Sequence, residues 1–304
     1  LYFIGISFIH NFHGLFIARD VFDKLTNIER LFRILILAYM EQFYKRLQTV
    51  YEDEHREMRP LNENWIPDEY VFEIDNTDEG RLWDANLREL QRIVEKAEVP
   101  FSEVNHWMQK VPGFVVIAFK QHLYSPLFYD SSKGNLPFSY KPVSLGAASE
   151  EQFVRDLQEF YHSPAGREYF ENIDLYLMRN AADKLKGIGF AQAGNFYPDF
   201  MMWIIDKITG LQYLTFIDPK GLRNVPFTSP KLNFAKEIKT LQEIVNQNCD
   251  NPIILNSVIL SSTRQDDEVL SQHTDEEYAS KHVLFLDTGG FSYLPKLFKM
   301  ARNK

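Results

Sequence analysis

Two strand-like segments separated by a short loop constrain the fold of this chain more than any other feature. Residues 198–206 and 211–218 are rich in aromatic and β-branched side chains, which are typical of strands. Residues 207–210 lie between them and end in glycine, which is a connection of hairpin length. The pattern predicts an antiparallel hairpin, in which the start of the first strand lies beside the end of the second.

The segments on either side of this hairpin predict helices and further strands. Ser149 followed by Gln152 is a capping-box pattern that marks a helix start, and Pro230 stands at the favoured first position of another helix. The order α-β-β-β-α-β predicts an α/β fold with a sheet flanked by helices. In chain order we predict a helix over 149–161, a strand over 173–179, the hairpin, a helix over 230–246, a strand over 252–261, and a terminal helix, strand (282–286) and helix.

The N-terminal half of the chain has a different pattern. Helical spacing of apolar residues predicts helices over 27–51 and 80–97, and an apolar run predicts a strand over 113–118. Residues 125–148 hold three prolines, two glycines and several serines, which is typical of a linker or a long ordered loop. The predicted organisation is a mainly helical region over 1–124 that contains an acidic segment, this linker or loop, and a second domain over 149–304.

The acidity of the chain is confined to one segment. Residues 51–99 contain 15 Asp and Glu but only 6 Lys and Arg, which accounts for the whole formal net charge of −9. The rest of the chain is therefore neutral. The overall charge does not exclude a basic surface for nucleic acid elsewhere in the molecule.

Cysteine content and the first residues indicate a compartment. Cys249 is the only cysteine, which excludes an internal disulfide and a cysteine-based zinc site and favours the reducing cytoplasm. Residues 1–18 carry no formal charge, but His10 and His13 interrupt the apolar run. We therefore expect a buried segment and no membrane partner. Because the first residue is Leu1, the chain is either processed or a fragment of a longer protein.

The two strands of the hairpin carry unusual polar residues at its open end. Asp199 stands at the start of the first strand, and Asp218 and Lys220 stand at the end of the second. Residues two apart share one face of a strand, so Asp218 and Lys220 point the same way, and the hairpin brings Asp199 close to them. Carboxylates bind Mg²⁺, and a nearby lysine can orient a water, so the trio predicts a site for phosphodiester hydrolysis.

A fourth acid lies on the helix that precedes the hairpin. At 100° per residue, Glu150 falls in the middle of the apolar face of this helix, whereas Glu151 falls well off it. An inward glutamate in the first turn either coordinates a metal or water, or stabilises the positive end of the helix dipole. The sequence leaves both alternatives open.

The spacing of Pro198-Asp199 and Asp218-Pro219-Lys220 resembles the PD-(D/E)XK motif of restriction-endonuclease-like nucleases. The surrounding residues resemble nuclease domains at the C-terminus of DEAD/DEAH-type helicases, as in type III restriction proteins. The similarity covers about the last half of the chain. It implies a mixed sheet flanked by helices, with Asp199, Asp218 and Lys220 as catalytic residues and Glu150 as the helix acid.

This resemblance also implies a cofactor, a substrate and partners. The cofactor would be Mg²⁺, with Mn²⁺ as a substitute, held by Asp199, Asp218 and Glu150. The substrate would be DNA, cut in a restriction or anti-phage defence system. No Gly-x-x-x-x-Gly-Lys-Ser/Thr motif occurs, so a helicase or ATPase activity would lie in another segment or subunit. Whether the protein forms an oligomer stays open.

Basic and amide residues near the motif are candidates for nucleic-acid contact. Arg223 and Lys231 follow the second strand, and phosphate contacts need such charges. An ordinary solvated helix face is the alternative for Lys231 and its neighbours Lys236 and Lys239. Gln192 and Asn195 precede the motif, where they either contact substrate or satisfy a turn.

Two other patterns have weaker functional meaning. Asp287-Thr288-Gly289 resembles an aspartic-protease loop, but only fourteen residues separate Gly290 from the end of the chain. His10 and His13 lack an acidic partner at metal-ligand spacing, which favours core packing.

Two rival functions remain open at this stage. The nuclease fold could be a catalytically silent nucleic-acid-binding or assembly subunit of a larger helicase–nuclease complex. The N-terminal helices and acidic segment could instead be an interaction platform, and the acidic residues could mimic DNA and occupy a basic groove.

Overall fold

The computed structural model divides the chain into two compact units, Leu1–Pro60 and Leu61–Lys304. In the first unit, every described residue between 28 and 51 is helical, as the sequence predicts. The elements of the second unit are numbered below in chain order. The structure describes residues 28–37, 39–40, 43–44, 47, 51, 69–96, 99–118, 126–142, 144–181, 187–190, 196–247, 251–263, 267 and 270–303.

A five-stranded mixed sheet forms the centre of the second unit. Its strands are β5 (Ile173–Arg179), β6 (Phe200–Asp206), β7 (Gln212–Lys220), β8 (Ile253–Ser261) and β9 (Val283–Phe285), and they lie side by side in that order. Strands β5, β6 and β7 pair antiparallel, whereas β7-β8 and β8-β9 pair parallel. The predicted strands over 173–179, 198–206, 211–218, 252–261 and 282–286 are confirmed, with ends moved by one to two residues.

Helices cover both faces of this sheet. The helices of this part are α3 (Ala148–His162), α4 (Pro164–Tyr169), α5 (Pro230–Asn246), α6 (Asp275–Ser280) and α7 (Tyr293–Ala301). One face of the sheet packs against α3 and α7 through a core that includes Phe153, Leu177 and Phe298. The other face packs against α5 through Phe216, Phe234 and Ile238. The α/β class and the flanked mixed sheet are therefore confirmed.

The turn between β6 and β7 fixes the register of the hairpin. Asp206 Oδ1 accepts hydrogen bonds from the backbone N–H groups of Ile208 and Thr209, at 3.0 and 2.9 Å. Gly210 follows with a φ of 71°, a conformation that glycine adopts without strain. In the resulting register Phe200 lies opposite Ile217, which places Asp199 beside Asp218.

The chain before α3 forms two small two-stranded sheets over two helices. Strand β1 (Val71–Ile74) pairs with β4 (Phe138–Lys141), and β2 (Phe114–Ile117) pairs with β3 (Leu127–Asp130). Helices α1 (Asp78–Val94) and α2 (Phe101–Lys110) complete this part. The predicted helix over 80–97 and strand over 113–118 are confirmed. The region is less helical than expected, because β1 and β2 also belong to it.

The prediction of a linker or loop over 125–148 is wrong in its secondary structure. This segment carries β3 and β4, and Phe128 and Phe138 are buried in an aromatic core with Trp83 and Phe114. Proline, glycine and serine mark the tight turn between the two strands rather than a linker. Asp130 stabilises that turn by accepting hydrogen bonds from the backbone N–H groups of Ser132 and Gly134, at 2.8 and 2.9 Å.

None of the helices formed by the described residues is long and apolar enough to cross a membrane.

Candidate active site

The three motif residues meet at the open end of the β6–β7 hairpin. Asp199 directly precedes β6, while Asp218 and Lys220 lie among the last three residues of β7, at the end away from the hairpin turn. Lys220 Nζ forms an ion pair with Asp218 Oδ2, and the register of the hairpin places Asp199 beside Asp218, where their charges interact. The convergence predicted from strand geometry is therefore present.

Burial sets the electrostatics of the two acids. Burial raises the pKa of Asp218 to about 6, partly opposed by the Lys220 ammonium and reinforced by the nearby Asp199. Burial also raises the pKa of Asp199, against the opposing effect of Arg179. The negative charge of Asp199 disfavours ionisation of its neighbour Asp218, so a cation bound beside the two acids would favour their ionised forms.

The Lys220 side chain is held by an aromatic ring as well as by its ion pair. Its Nζ lies 5.3 Å from the centroid of the Phe196 ring. Phe196 is fully buried, so the ring is a fixed surface. The Lys220 side chain is 22% exposed, so it is only partly covered by the protein.

Helix α3 reaches the site at its N-terminal end. Glu150 is buried there, as predicted. The capping-box prediction is wrong, because Ala147 is the N-cap and no side chain caps the helix. Ser149 Oγ instead donates a 3.2 Å hydrogen bond to the Pro219 carbonyl, and Gln152 Nε2 donates a 2.7 Å bond to the Asp287 carbonyl. Both side chains tie the helix to other segments of the fold, which local sequence could not reveal.

Glu151 departs from the expected position of a solvated residue. Its side chain is buried, and it pairs with Arg155 at 3.1 Å. The buried face of helix α3 is therefore wider than the stripe formed by its apolar residues. Burial raises the pKa of the Glu151 carboxyl, and the charge of Arg155 partly opposes this effect.

Sequence reasoning missed Arg179, which connects the site acids. Its Nη1 donates to Asp199 Oδ1 at 3.1 Å, and its Nη2 donates to Glu150 Oε1 at 3.1 Å. A signal for it was present. Arg179 ends β5 in phase with the buried residues Leu175 and Leu177, so alternation places a cation on a buried face.

The backbone around Asp199 is fixed by a second missed residue, Asn180. Its backbone N–H donates to the Asp199 carbonyl at 2.8 Å. Its side-chain amide donates to the carbonyls of Ile188 and Pro198, both at 2.8 Å, and accepts from the Ile188 N–H at 2.9 Å. An amide that is bonded on all sides holds the approach to β6 in place.

Two carboxylates of this site suit a divalent cation. Mg²⁺ commonly binds through one or two carboxylates and keeps several waters, and Asp199 and Asp218 supply such oxygens. Among the residues that the structure describes, no group of three His, Cys, Asp or Glu side chains is placed to hold a metal ion. Arg179 pairs with both Glu150 and Asp199, so a protein cation joins these two acids, and the predicted ligand set of Asp199, Asp218 and Glu150 stays a prediction.

The structure places two of the four residues predicted to contact nucleic acid, and the contacts themselves stay a prediction. Arg223 is exposed and pairs with Asp267 at 2.6 Å, and Lys231 is half-buried near the start of α5. Lys239 is structural, because its Nζ donates to the Leu255 carbonyl at 2.8 Å and to Asn256 Oδ1 at 2.9 Å. Gln192 and Asn195 lie outside the described residues.

The residues with weaker functional meaning are also placed. Asp287 accepts hydrogen bonds from the backbone and hydroxyl of Ser292 just before α7, which is a structural role. His10, His13 and Cys249 lie outside the described residues.

Comparisons with known proteins add nothing to this site. A scan against protein-family models found no match, and searches of curated proteins and of solved structures likewise found none.

Proposed function

We propose that this chain is a metal-dependent nuclease of the PD-(D/E)XK type, with Asp199, Asp218 and Lys220 as its catalytic residues. The observation that carries the proposal is the convergence of these side chains at the open end of one hairpin. The order of helix, three antiparallel strands, helix and parallel strand is the order expected of a restriction-endonuclease-like core. That order supports the proposal, because the motif falls on the expected strands.

The side chains have separable roles in phosphodiester hydrolysis. With a pKa of about 6, Asp218 is mostly ionised above pH 7 and can act as a metal ligand beside Asp199. A bound Mg²⁺ would lower the pKa of a coordinated water and offset the charge that develops on phosphorus. Lys220 holds its ammonium beside Asp218, where it can orient the attacking water and stabilise the phosphorane oxygens.

DNA is the substrate that the proposal favours, and a role in restriction or anti-phage defence is the biological setting. Arg223 and Lys231 are exposed or half-exposed beyond the end of β7 and can contact phosphates. A helicase or ATPase partner would complete such a system. RNA and single-stranded DNA are the alternative substrates, and a cleavage assay distinguishes them from duplex DNA.

The test is a cleavage assay with Mg²⁺ or Mn²⁺ on duplex DNA, single-stranded DNA and RNA. Wild-type protein is expected to cut at least one of these, and Asp218→Ala or Lys220→Ala to reduce the rate by about 10³-fold or more. Asp174→Ala and Lys207→Ala are matched controls, because they break an exposed 3.7 Å ion pair at the other end of the hairpin. Equal cleavage rates for the wild type and the site variants would exclude nuclease activity at this site.

A catalytically silent nucleic-acid-binding or assembly subunit is the second candidate. The observation that favours it is the protein's own neutralisation of the acids, by Arg179 on Glu150 and Asp199 and by Lys220 on Asp218. This candidate predicts DNA binding without Mg²⁺ and no cleavage of any substrate. Cleavage that Asp218→Ala abolishes would eliminate it.

A further inference from the structure

The Arg179 side chain has a bonding pattern that the proposed catalysis does not use. It is 11% exposed. Its Nε donates to the Ser144 carbonyl at 2.6 Å, and its Nη1 donates to the Asp199 carbonyl at 2.6 Å and to Asp199 Oδ1 at 3.1 Å. Its Nη2 donates to Glu150 Oε1 at 3.1 Å. One guanidinium therefore joins the segment before α3, the first turn of α3 and the start of β6.

Both carboxylate oxygens of Glu150 are engaged by protein donors. Oε1 accepts from Arg179, and Oε2 accepts from the backbone N–H of Gly146 at 2.7 Å. The side chain is 8% exposed. A carboxylate in this setting is the counter-ion of a buried cation.

The two faces of the sheet separate Glu150 from Asp218. Arg179 is in phase with Leu177, which packs against α3, so the Glu150–Arg179 pair belongs to that side. Asp218 is in phase with Phe216, which packs against α5 on the opposite side. Asp199 connects them, because its Oδ1 accepts from Arg179 and the hairpin register places it beside Asp218.

We propose that Glu150 and Arg179 form a positioning pair that fixes Asp199, and that Asp199 and Asp218 alone supply the protein's carboxylates to a divalent cation. The inference rests on the proposed function. The planar guanidinium of Arg179 reaches four acceptor atoms on three residues at once, which the single ammonium of a lysine cannot do in the same geometry. Glu150 holds that fork in place, so its effect on Asp199 passes through Arg179.

The first experiment measures Mn²⁺ affinity by electron paramagnetic resonance. Glu150→Gln keeps an acceptor for Arg179 and loses the one for the Gly146 N–H, so its affinity is expected to fall by about tenfold at most, whereas Asp218→Asn removes a ligand and is expected to lose about 10³-fold. Glu151→Gln is the matched control, because Glu151 is the neighbouring buried acid on the same helix. A loss in Glu150→Gln that is closer to that of Asp218→Asn than to that of the control overturns the assignment.

The second experiment is a double-mutant cycle on the melting temperature of the metal-free protein. Arg179→Met leaves Glu150 as an unpaired buried charge, so the Tm is expected to fall by about 10 °C. Adding Glu150→Gln removes that charge and is expected to restore a large part of the loss. Losses that simply add would contradict a direct pair.

The third measurement separates positioning from folding. Arg179→Lys keeps the charge but loses the fork, so kcat at saturating Mn²⁺ is expected to fall by about 10²-fold with the substrate KM unchanged. A wild-type kcat in Arg179→Lys overturns the positioning role. If the wild-type protein binds no Mn²⁺ and cuts nothing, the proposed function fails, while the Tm cycle still decides whether the pair exists.

Discussion

Helix α3 buries Glu150 and Glu151 in its first turn and Asp156 about two turns farther on, and the first and last of these differ in their partners. Glu150 meets the Arg179 guanidinium at 3.1 Å, whereas Asp156 accepts a 3.0 Å hydrogen bond from the Tyr293 hydroxyl. Burial raises the pKa of Asp156 to about 6, against the opposing hydrogen bond from Tyr293 and the charge of Arg155. Of these two acids on one helix, Glu150 therefore has a full countercharge from β5, whereas Asp156 has a neutral donor from α7.

The difference between the partners of Glu150 and Asp156 shows where this fold can stabilise a buried ion pair. Removing two charges from water costs several kcal/mol, and only good geometry with further hydrogen bonds offsets that cost. Arg179 has those bonds because the carbonyls of Ser144 and Asp199 lie within reach. The ion pair is placed where it also orients Asp199, whereas Asp156 only links α3 to α7.

The largest expected effect comes from the residue between the two acids. Phe153 is fully buried and packs edge-to-face on Phe200, with 5.3 Å between ring centroids. Phe153→Ala is expected to lower the free energy of unfolding by about 3–5 kcal/mol, because it leaves a cavity between helix and sheet. Chemical denaturation measures the change.

Phe200 follows Asp199 directly, so Phe153→Ala is also expected to reduce cleavage. Phe153→Leu refills part of the cavity and serves as the control, with a smaller loss. If Phe153→Ala unfolds at the denaturant concentration of the wild type, the Phe153–Phe200 contact does not contribute to the stability of the fold.

A second prediction concerns pH and the Asp156 end of the helix. The folded-state pKa of about 6 lies above the unfolded value of about 3.9. The stabilising contribution of this group is therefore fully present below pH 3.9 and is lost as the pH rises through about 6. Asp156→Asn does not titrate, so its Tm relative to wild type is expected to rise by a few degrees between pH 4 and 7.5.

Thermal scans across that pH range test the prediction. Arg155, Glu159 and Tyr293 surround the carboxyl and stay unchanged in this variant. A Tm difference that is constant with pH would mean that Asp156 titrates in the folded protein as it does in the unfolded chain.

The smallest effect is expected from the neutral donor itself. Tyr293→Phe removes the hydroxyl that bonds Asp156 and is expected to cost about 1 kcal/mol, or a Tm decrease of about 2–4 °C. In the Asp156→Ala background the same substitution is expected to cost less. Equal costs in the two backgrounds would show that the hydroxyl stabilises the protein by another contact.

The sequence predicts the hairpin and its acids well, because short-range rules decide them. Alternating apolar residues specify β6 and β7, and the turn residues specify their register, so Asp199 and Asp218 could be placed together. Arg179 is the counterexample. Its alternation was visible, but its partner Glu150 is 29 residues away, and no local rule links the two.

Longer-range packing explains the other errors. Strands β3 and β4 have four residues each, and their pairing with β2 and β1 is not visible from their own composition. Ser149 bonds a carbonyl 70 residues away instead of capping its own helix. Glu151 is buried because neighbouring segments cover α3 beyond its apolar stripe.

The turn at 207–210 has a practical consequence. Ile208 is 76% exposed, and the seven residues of β6 separate the turn from the motif acids. At about 3.3 Å per residue, that separation is roughly 20 Å. A fluorophore or a short affinity tag attached at residue 208 would therefore be connected to Asp199 and Asp218 through the same two strands without contacting them. This turn is a suitable labelling site for measuring the binding of nucleic acid to the protein.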